Sequence, residues 1–168
     1  MSKRKFLTVG SLAAVIVVAA LIFYFSAQQG EDSARMSGGL TAWLISVLRP
    51  DFSRLSAARQ RELRWIFELF VRKTAHFGEY TLLGFSLMGF ARGAFRDRPK
   101  SALLAMAWLT GTIYAGTDEL HQMFVEGRGP ALTDVAIDSA GVLFGALLLN
   151  LLLYFWLRRR RRRAATAG

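Results

Sequence analysis

Two short blocks of polar residues are the part of this sequence that could do chemistry. The first reads RKTAHFGEY at 72–80, and the second reads DELHQMFVEGR at 118–128, with two further aspartates close behind. Each block lies at the end of a hydrophobic stretch. Ionisable groups in lipid cost several kcal/mol unless they pair or face water, so a membrane protein that keeps them generally uses them. The candidate functional residues are therefore Arg72, Lys73, His76, Glu79, Tyr80, Asp118, Glu119, Gln122, Arg128, Asp134 and Asp138.

The basic residues of the blocks fit two interpretations. In a binding site, Arg72, Lys73 and Arg128 would meet phosphate or carboxylate groups through charge-assisted hydrogen bonds. In a structural role, they would form ion pairs that fix the packing of a small helix bundle. The pairs that the sequence suggests are Arg72 with Glu79, and Arg128 with Asp134 or Asp138.

A catalytic interpretation starts from His76, which would act as a general acid or base with Glu79 or Asp118 orienting it. The serine elbow of a hydrolase and the arginine, histidine and serine signature of lipid phosphatases are both missing. His76 and His121 could join carboxylates around zinc, but their spacing matches no HExxH pattern. The chain also has no cysteine. We therefore predict no metal and no cofactor, and we favour binding over catalysis.

Composition sets the class of protein that must position these residues. The chain has 168 residues, 53% of them hydrophobic, and its 20% of charged residues are gathered into short runs. This combination is typical of a small integral membrane protein. The net charge of +10 does not indicate nucleic-acid binding, because the basic residues flank hydrophobic segments.

Four segments are long enough to cross a bilayer, which needs about 20 residues. They lie at about 6–26, 71–91, 101–118 and 135–157, and the last is followed by a basic tail at 158–168. The first is too long for the apolar region of a cleaved signal peptide, so we interpret it as an anchor. The sequence thus predicts an all-α protein with four transmembrane helices in one membrane domain.

The distribution of Lys and Arg predicts the orientation. Basic residues cluster at 3–5, 92–100 and 158–163, and short loops rich in such residues stay in the cytoplasm. Both termini are therefore predicted to be cytoplasmic. The start of the second span, the end of the third and the start of the fourth then all lie at the outer face, so the polar blocks should converge there.

Helical spacing places the polar residues on shared faces. Arg72, His76 and Glu79 are four and three residues apart, so they share one face of the second span. On the fourth span, one stripe contains Asp134, Asp138, Gly141 and Gly145. Its two glycines form a GxxxG motif, which lets another helix approach closely.

With these motifs, the chain resembles the VanZ-like family of bacterial membrane proteins. The resemblance rests on the two blocks and on the aspartates and Gly141 that follow them, and it covers most of the chain. That family takes its name from a protein linked to low-level resistance to the glycopeptide antibiotic teicoplanin. The resemblance implies a multi-pass protein of the bacterial inner membrane with a role at the cell envelope.

The outer loop, at about 27–70, is predicted to be helical. Two apolar stripes recur in it at helical spacing, and they are Leu40, Trp43, Leu44 and Val47, then Leu63, Ile66, Phe67 and Phe70. Such stripes most often lie on the membrane surface or cover the bundle. The alternative is a lid over the polar site.

The predicted function is binding or modulation of a cell-envelope lipid, a lipid-linked precursor or an amphiphilic antibiotic at the outer polar cluster. The alternative is a membrane-embedded hydrolase or transferase that acts on a lipid-linked substrate. Membrane lipid and a glycopeptide are the predicted partners. The sequence leaves the ligand open, and also whether the protein forms a homo-oligomer.

Overall fold

A computed structural model of the chain describes residues 2–28, 30–125 and 131–165. All regular structure in these ranges is helical, as the sequence predicts. A short 3-10 turn, Phe52–Arg54, precedes the longest helix. The helices are α1 (Lys3–Ser26), α2 (Gly30–Leu48), α3 (Ala57–Ala94), α4 (Lys100–Gln122) and α5 (Leu132–Ala165).

Local residue chemistry explains several helix boundaries. Ser2 and Ser56 cap α1 and α3, because each side chain accepts a hydrogen bond from a backbone N–H of the first turn. Pro99 occupies the cap position of α4, where its missing N–H costs nothing. The turn between α3 and α4 is short, because α3 ends at Ala94 and α4 begins at Lys100. The two helices are therefore antiparallel neighbours.

The second predicted span, 71–91, is the second half of a longer helix. α3 runs without a break for 38 residues, since no Pro interrupts it between 57 and 94. At 1.5 Å per residue it is about 57 Å long, almost twice the thickness of a hydrocarbon core. The apolar stripe at 63–70 and the predicted span at 71–91 therefore lie on the same helix.

Helix α3 is the centre of the bundle. It packs against α1, α4 and α5, and α4 also packs against α5. The buried core between them contains Tyr80, Leu83 and Met88 from α3, Ala107 and Ala115 from α4, and Val142 and Ala146 from α5. Small side chains are common in this core, and they allow helix backbones to approach closely.

The GxxxG motif of α5 is confirmed as a site of close helix packing. A methyl group added at Gly145 would collide with the carbonyl oxygen of Thr81 on α3, and one at Gly141 would lie 2.7 Å from that of Phe77. On the α3 side, Gly84 faces the backbone of Val142 in the same way. Glycine is required at these positions because two backbones meet with no space for a Cβ.

The surface of the bundle is strongly apolar. Two helices are long and apolar enough to cross a membrane, Arg4–Ser26 with a mean hydropathy of 2.7 and Leu132–Ala164 with 2.1. In the part of the chain that the structure describes, α3 and α4 do not pass the same test. Large apolar side chains such as Phe6, Ile113 and Trp156 are exposed. A surface of this kind indicates a membrane-associated protein.

Helix α2 packs against α3 outside the bundle. Its buried residues are Thr41 and Ile45, whereas Leu40, Trp43 and Val47 of the predicted apolar stripe are exposed. After α2, Arg49 donates two hydrogen bonds to Asp51, at 3.0 and 2.8 Å. These bonds hold the pKa of the Asp51 carboxyl below its ordinary value, although both residues are at the surface.

Candidate functional site

Polar side chains from four helices meet at one end of the bundle. They come from the end of α1, the middle of α3, the end of α4 and the start of α5. Several are almost fully buried, and Asp138 has only 1% of its surface exposed. The polar cluster, as we call it, consists of Ser26, Lys73, His76, Tyr80, Asp118, Glu119, Gln122, Asp134 and Asp138.

A buried hydrogen-bond network joins α1 to α4. The Ser26 hydroxyl donates to Asp118 Oδ2 at 2.7 Å. The Gln122 side-chain amide donates to Ser26 Oγ at 3.1 Å and to the same carboxylate oxygen at 3.2 Å. Asp118 and Gln122 are four residues apart on α4, so one helix face holds both. The network satisfies one oxygen of a buried carboxylate.

Two contacts between ionisable groups join α3 to α5. Lys73 forms an ion pair and hydrogen bond with Asp134 in a half-buried position. His76 Nδ1 lies 3.9 Å from Asp138 Oδ1, which is beyond hydrogen-bond distance. Asp138 is therefore a carboxylate beside His76 that the catalytic interpretation, with Glu79 or Asp118, did not include.

Glu119 has an identifiable structural role. Its Oε2 accepts a hydrogen bond at 2.9 Å from the backbone N–H of Ala131, immediately before α5. A carboxylate at a helix N-terminus satisfies an otherwise unbonded donor and interacts favourably with the helix dipole. Glu119 thus ties the end of α4 to the start of α5 and positions both for the cluster.

Three other buried groups keep hydrogen-bonding capacity that the fold does not use. Tyr80, Asp118 and Asp138 come from three different helices, and the tyrosine lies close enough to both carboxylates to interact electrostatically. The Tyr80 hydroxyl, Asp118 Oδ1 and both Asp138 oxygens have no hydrogen-bond partner among the described residues. Buried polar atoms are rarely left unbonded, so this buried trio is the part of the cluster with capacity for a further partner.

The remaining predicted site residues are distributed differently. Arg72 is exposed and makes no hydrogen bond or ion pair with any residue that the structure describes, so its predicted pair with Glu79 is absent. It lies about 80° around the helix axis from the buried Tyr80, because successive residues are about 100° apart. Glu79 is half-buried. Arg128 lies outside the described residues.

A comparison with protein families identifies the family of this chain. The sequence model of VanZ/LLP1 matches residues 11–155, which includes every residue of the polar cluster. The chain belongs to the VanZ/LLP1 family. Comparisons with curated proteins and with solved structures found no match. The site of this VanZ/LLP1 protein must therefore be interpreted from its own geometry.

Several residues that shape the VanZ/LLP1 site lie outside the motifs from which the site was predicted. Ser26, which lies outside the two polar blocks, donates a hydrogen bond to Asp118. Tyr114 donates to the carbonyl of Ala19 at 2.7 Å and so joins α4 to α1. Ser139, next to Asp138, bonds Thr112 at 2.8 Å. Each is a hydroxyl in an otherwise apolar helix, and this is the signal that could have identified them.

The polar cluster of this VanZ/LLP1 protein is rich in hydrogen-bond acceptors. In the ranges that the structure describes, no group of three or more His, Asp or Glu side chains is arranged to hold a metal ion. Ser26 donates its proton to a carboxylate and not to an imidazole, so it lacks the base that activates a serine nucleophile. The unused oxygens of the buried trio instead fit a ligand that donates hydrogen bonds.

Proposed function

We propose that this VanZ/LLP1 protein spans the bacterial inner membrane four times and binds the polar headgroup of an envelope amphiphile in its polar cluster. The headgroup belongs to a cell-envelope lipid, a lipid-linked precursor or a glycopeptide such as teicoplanin. The observation that carries the proposal is the buried trio, in which the Tyr80 hydroxyl, Asp118 Oδ1 and both Asp138 oxygens form no hydrogen bond with a described residue.

The geometry favours a headgroup with an amine or several hydroxyl groups. A primary ammonium has three N–H donors and a positive charge, and it would satisfy Asp118 and Asp138 together. The ion pair with Asp134 already uses the charge of Lys73. The exposed Arg72 remains for a phosphate at the edge of the cluster, as the sequence suggested. A headgroup with both an amine and a phosphate would use both features.

The proposed four spans follow from α1, the second half of α3, α4 and α5. Helices α3 and α4 carry polar residues of the site, and Tyr80, Asp118, Glu119 and Gln122 are buried in the bundle instead of facing lipid. The basic residues gather at the opposite end, so the polar cluster is proposed to lie at the outer face. The exposed Trp43, Val47 and Phe70 fit helices that rest on the membrane surface.

Lipid affinity provides the test. We expect the purified protein to bind phosphatidylethanolamine, whose headgroup has a primary amine, about tenfold more tightly than phosphatidylcholine, which has no N–H donor. The double variant Asp118→Asn, Asp138→Asn should lose this preference. Asp97→Asn is the matched control, because Asp97 is exposed and pairs with Arg96 in the α3–α4 turn. Native mass spectrometry with each lipid measures the dissociation constants.

The same experiment distinguishes recognition from a structural role. If the double variant keeps the lipid preference but unfolds at a lower temperature, the carboxylates serve only to hold the bundle. Teicoplanin in place of the lipids, together with teicoplanin susceptibility of cells that express each variant, tests the glycopeptide as ligand. Hydrolysis of a lipid-linked substrate by the intact protein would favour the enzymatic alternative instead.

A further inference from the structure

The opposite end of the bundle contains a second concave site. A cavity of about 660 Å³ lies between the end of α3, the start of α4 and the last turns of α5. Four cationic side chains line it, and we call it the basic pocket. They are Arg92, Lys100, Arg158 and Arg161. No acidic residue is among the described residues that line this pocket.

The charge of Arg92 is held in place without being neutralised. Its guanidinium donates to Asn150 Oδ1 at 2.7 Å, and Asn150 in turn donates to the carbonyl of Ala146 at 3.2 Å. Asn150 is a single polar residue within the leucine run at 147–153 of α5. A neutral amide orients the cation and leaves its full positive charge for a ligand.

The surroundings of the pocket add to the positive potential. Between 84 and 117 the only acidic residue is Asp97, which pairs with Arg96, and after Asp138 the sequence contains no acidic residue. The N-terminus adds further cations, because Arg4 bonds the carbonyl of Gly93 at 2.9 Å. Nothing in this part of the sequence offsets the four cations of the pocket, so an anion would satisfy them.

One wall of the pocket is apolar. Leu153, Leu157 and Arg161 follow one another at four-residue intervals on a single face of α5. Leu104 of α4 contributes to the same wall. Tyr154 and Leu157 are 56% and 44% exposed, so this wall opens to the lateral surface of the bundle. The site therefore combines an open apolar wall with cations on both sides of it along α5, Arg92 at the level of Asn150 and the two arginines near the end of the helix.

We propose that the basic pocket binds an anionic phospholipid. The headgroup phosphate meets Arg92, Lys100, Arg158 and Arg161, and an acyl chain lies along the leucine wall. Basic pockets between membrane helices on the cytoplasmic side bind anionic headgroups by these same forces. A soluble phosphate would use the cations but not the apolar wall, which is why the structure favours the lipid. This site is separate from the polar cluster. The group that it is proposed to bind is an anion, whereas the ammonium group proposed for the polar cluster is a cation.

The test compares two pairs of arginines in the same basic run. Arg158→Gln with Arg161→Gln removes two pocket residues, and Arg159→Gln with Arg160→Gln removes two that do not line the pocket. Both pairs change net charge equally. Native mass spectrometry with palmitoyl-oleoyl phosphatidylglycerol should show a Kd about 10- to 30-fold weaker for the pocket pair, as expected for two lost cations. The control pair should stay within about threefold of the unmodified protein.

A second variant keeps the test informative if the pocket pair folds poorly. Asn150→Asp keeps the acceptor for Arg92 and adds a negative charge to the pocket, so it should weaken phosphatidylglycerol binding about fivefold or more. Equal losses for the two arginine pairs, or no effect of Asn150→Asp, would overturn the proposal. Displacement of the lipid by millimolar inorganic phosphate would identify a soluble ligand instead. The ethanolamine preference of the polar cluster should be unchanged in all these variants.

Discussion

Arg72 and Lys73 are adjacent in sequence but differ in how deeply they are buried. Lys73 lies in line with the buried face of α3 and pairs with Asp134 of α5, whereas Arg72 is one helical step of about 100° away and is exposed. A charge that is half-buried depends on its partner, and an exposed one does not. The two residues should therefore respond differently to the same kind of substitution.

Double-mutant cycles test this difference at the residue scale. Lys73→Gln and Asp134→Asn should each destabilise the protein, and the cycle should give a coupling energy of about 0.5 to 3 kcal/mol because the two side chains are in contact. The cycle of Arg72→Gln with Glu79→Gln should give a coupling near zero. Thermal unfolding in detergent measures both cycles. Strong coupling between Arg72 and Glu79 would show that these two side chains form a pair after all.

At the scale of elements, the spacing between α3 and α5 controls the polar cluster. Gly141 and Gly145 let the two backbones touch, and Asp138 lies one turn before Gly141 on the same face of α5. His76 and Tyr80 lie on the facing part of α3. A change in the distance between these helices would therefore separate Asp138 from both residues.

Substitution of one glycine tests the helix contact. Gly145→Ala should destabilise the protein by about 1 to 3 kcal/mol, because the new methyl group meets the Thr81 carbonyl and the backbones must separate. Gly116→Ala on α4 is the matched control, since nothing lies within 4 Å of its added Cβ. That control should be neutral or stabilise by up to about 1 kcal/mol. Equal melting temperatures of the two variants would refute close packing at Gly145.

At the scale of the whole molecule, charge is strongly polarised along the bundle. The runs at 3–5, 92–100 and 158–163 hold 13 of the 22 basic residues and only one of the 12 acidic residues, Asp97. The contact of Arg4 with Gly93 and that of Arg92 with Asn150 bring these three runs to one end. This asymmetry is the basis on which we propose that this end lies in the cytoplasm.

Cysteine labelling tests the orientation in this cysteine-free chain. Ser53→Cys lies in the exposed turn before α3, and Ser2→Cys lies at the exposed N-terminus. A membrane-impermeant maleimide should label residue 53 in intact spheroplasts, and it should label residue 2 only after the membrane is permeabilised. Labelling of both residues from the same side would contradict the outer location of the polar cluster. It would not contradict the contacts within the cluster.

The sequence by itself determined the all-α class, the apolar segments and the polar stripe of α5. These features depend on composition and on the 3.6-residue period, which are local properties. It also predicted close helix packing at Gly141 and Gly145, because the small-residue spacing has few other uses in an apolar helix. The family follows from the same blocks, since both of them are contiguous in sequence.

Only the tertiary structure decided which polar residues meet. Spacing placed Arg72, His76 and Glu79 on one face of α3. It did not predict that the centre of the buried face passes through Lys73 and Tyr80 instead. The rotation of α3 is set by its glycine contact with α5, which is a property of two helices together. For the same reason the buried trio, and the contact of Asn150 with Arg92, depend on residues that are distant in sequence and were not predictable from either helix alone.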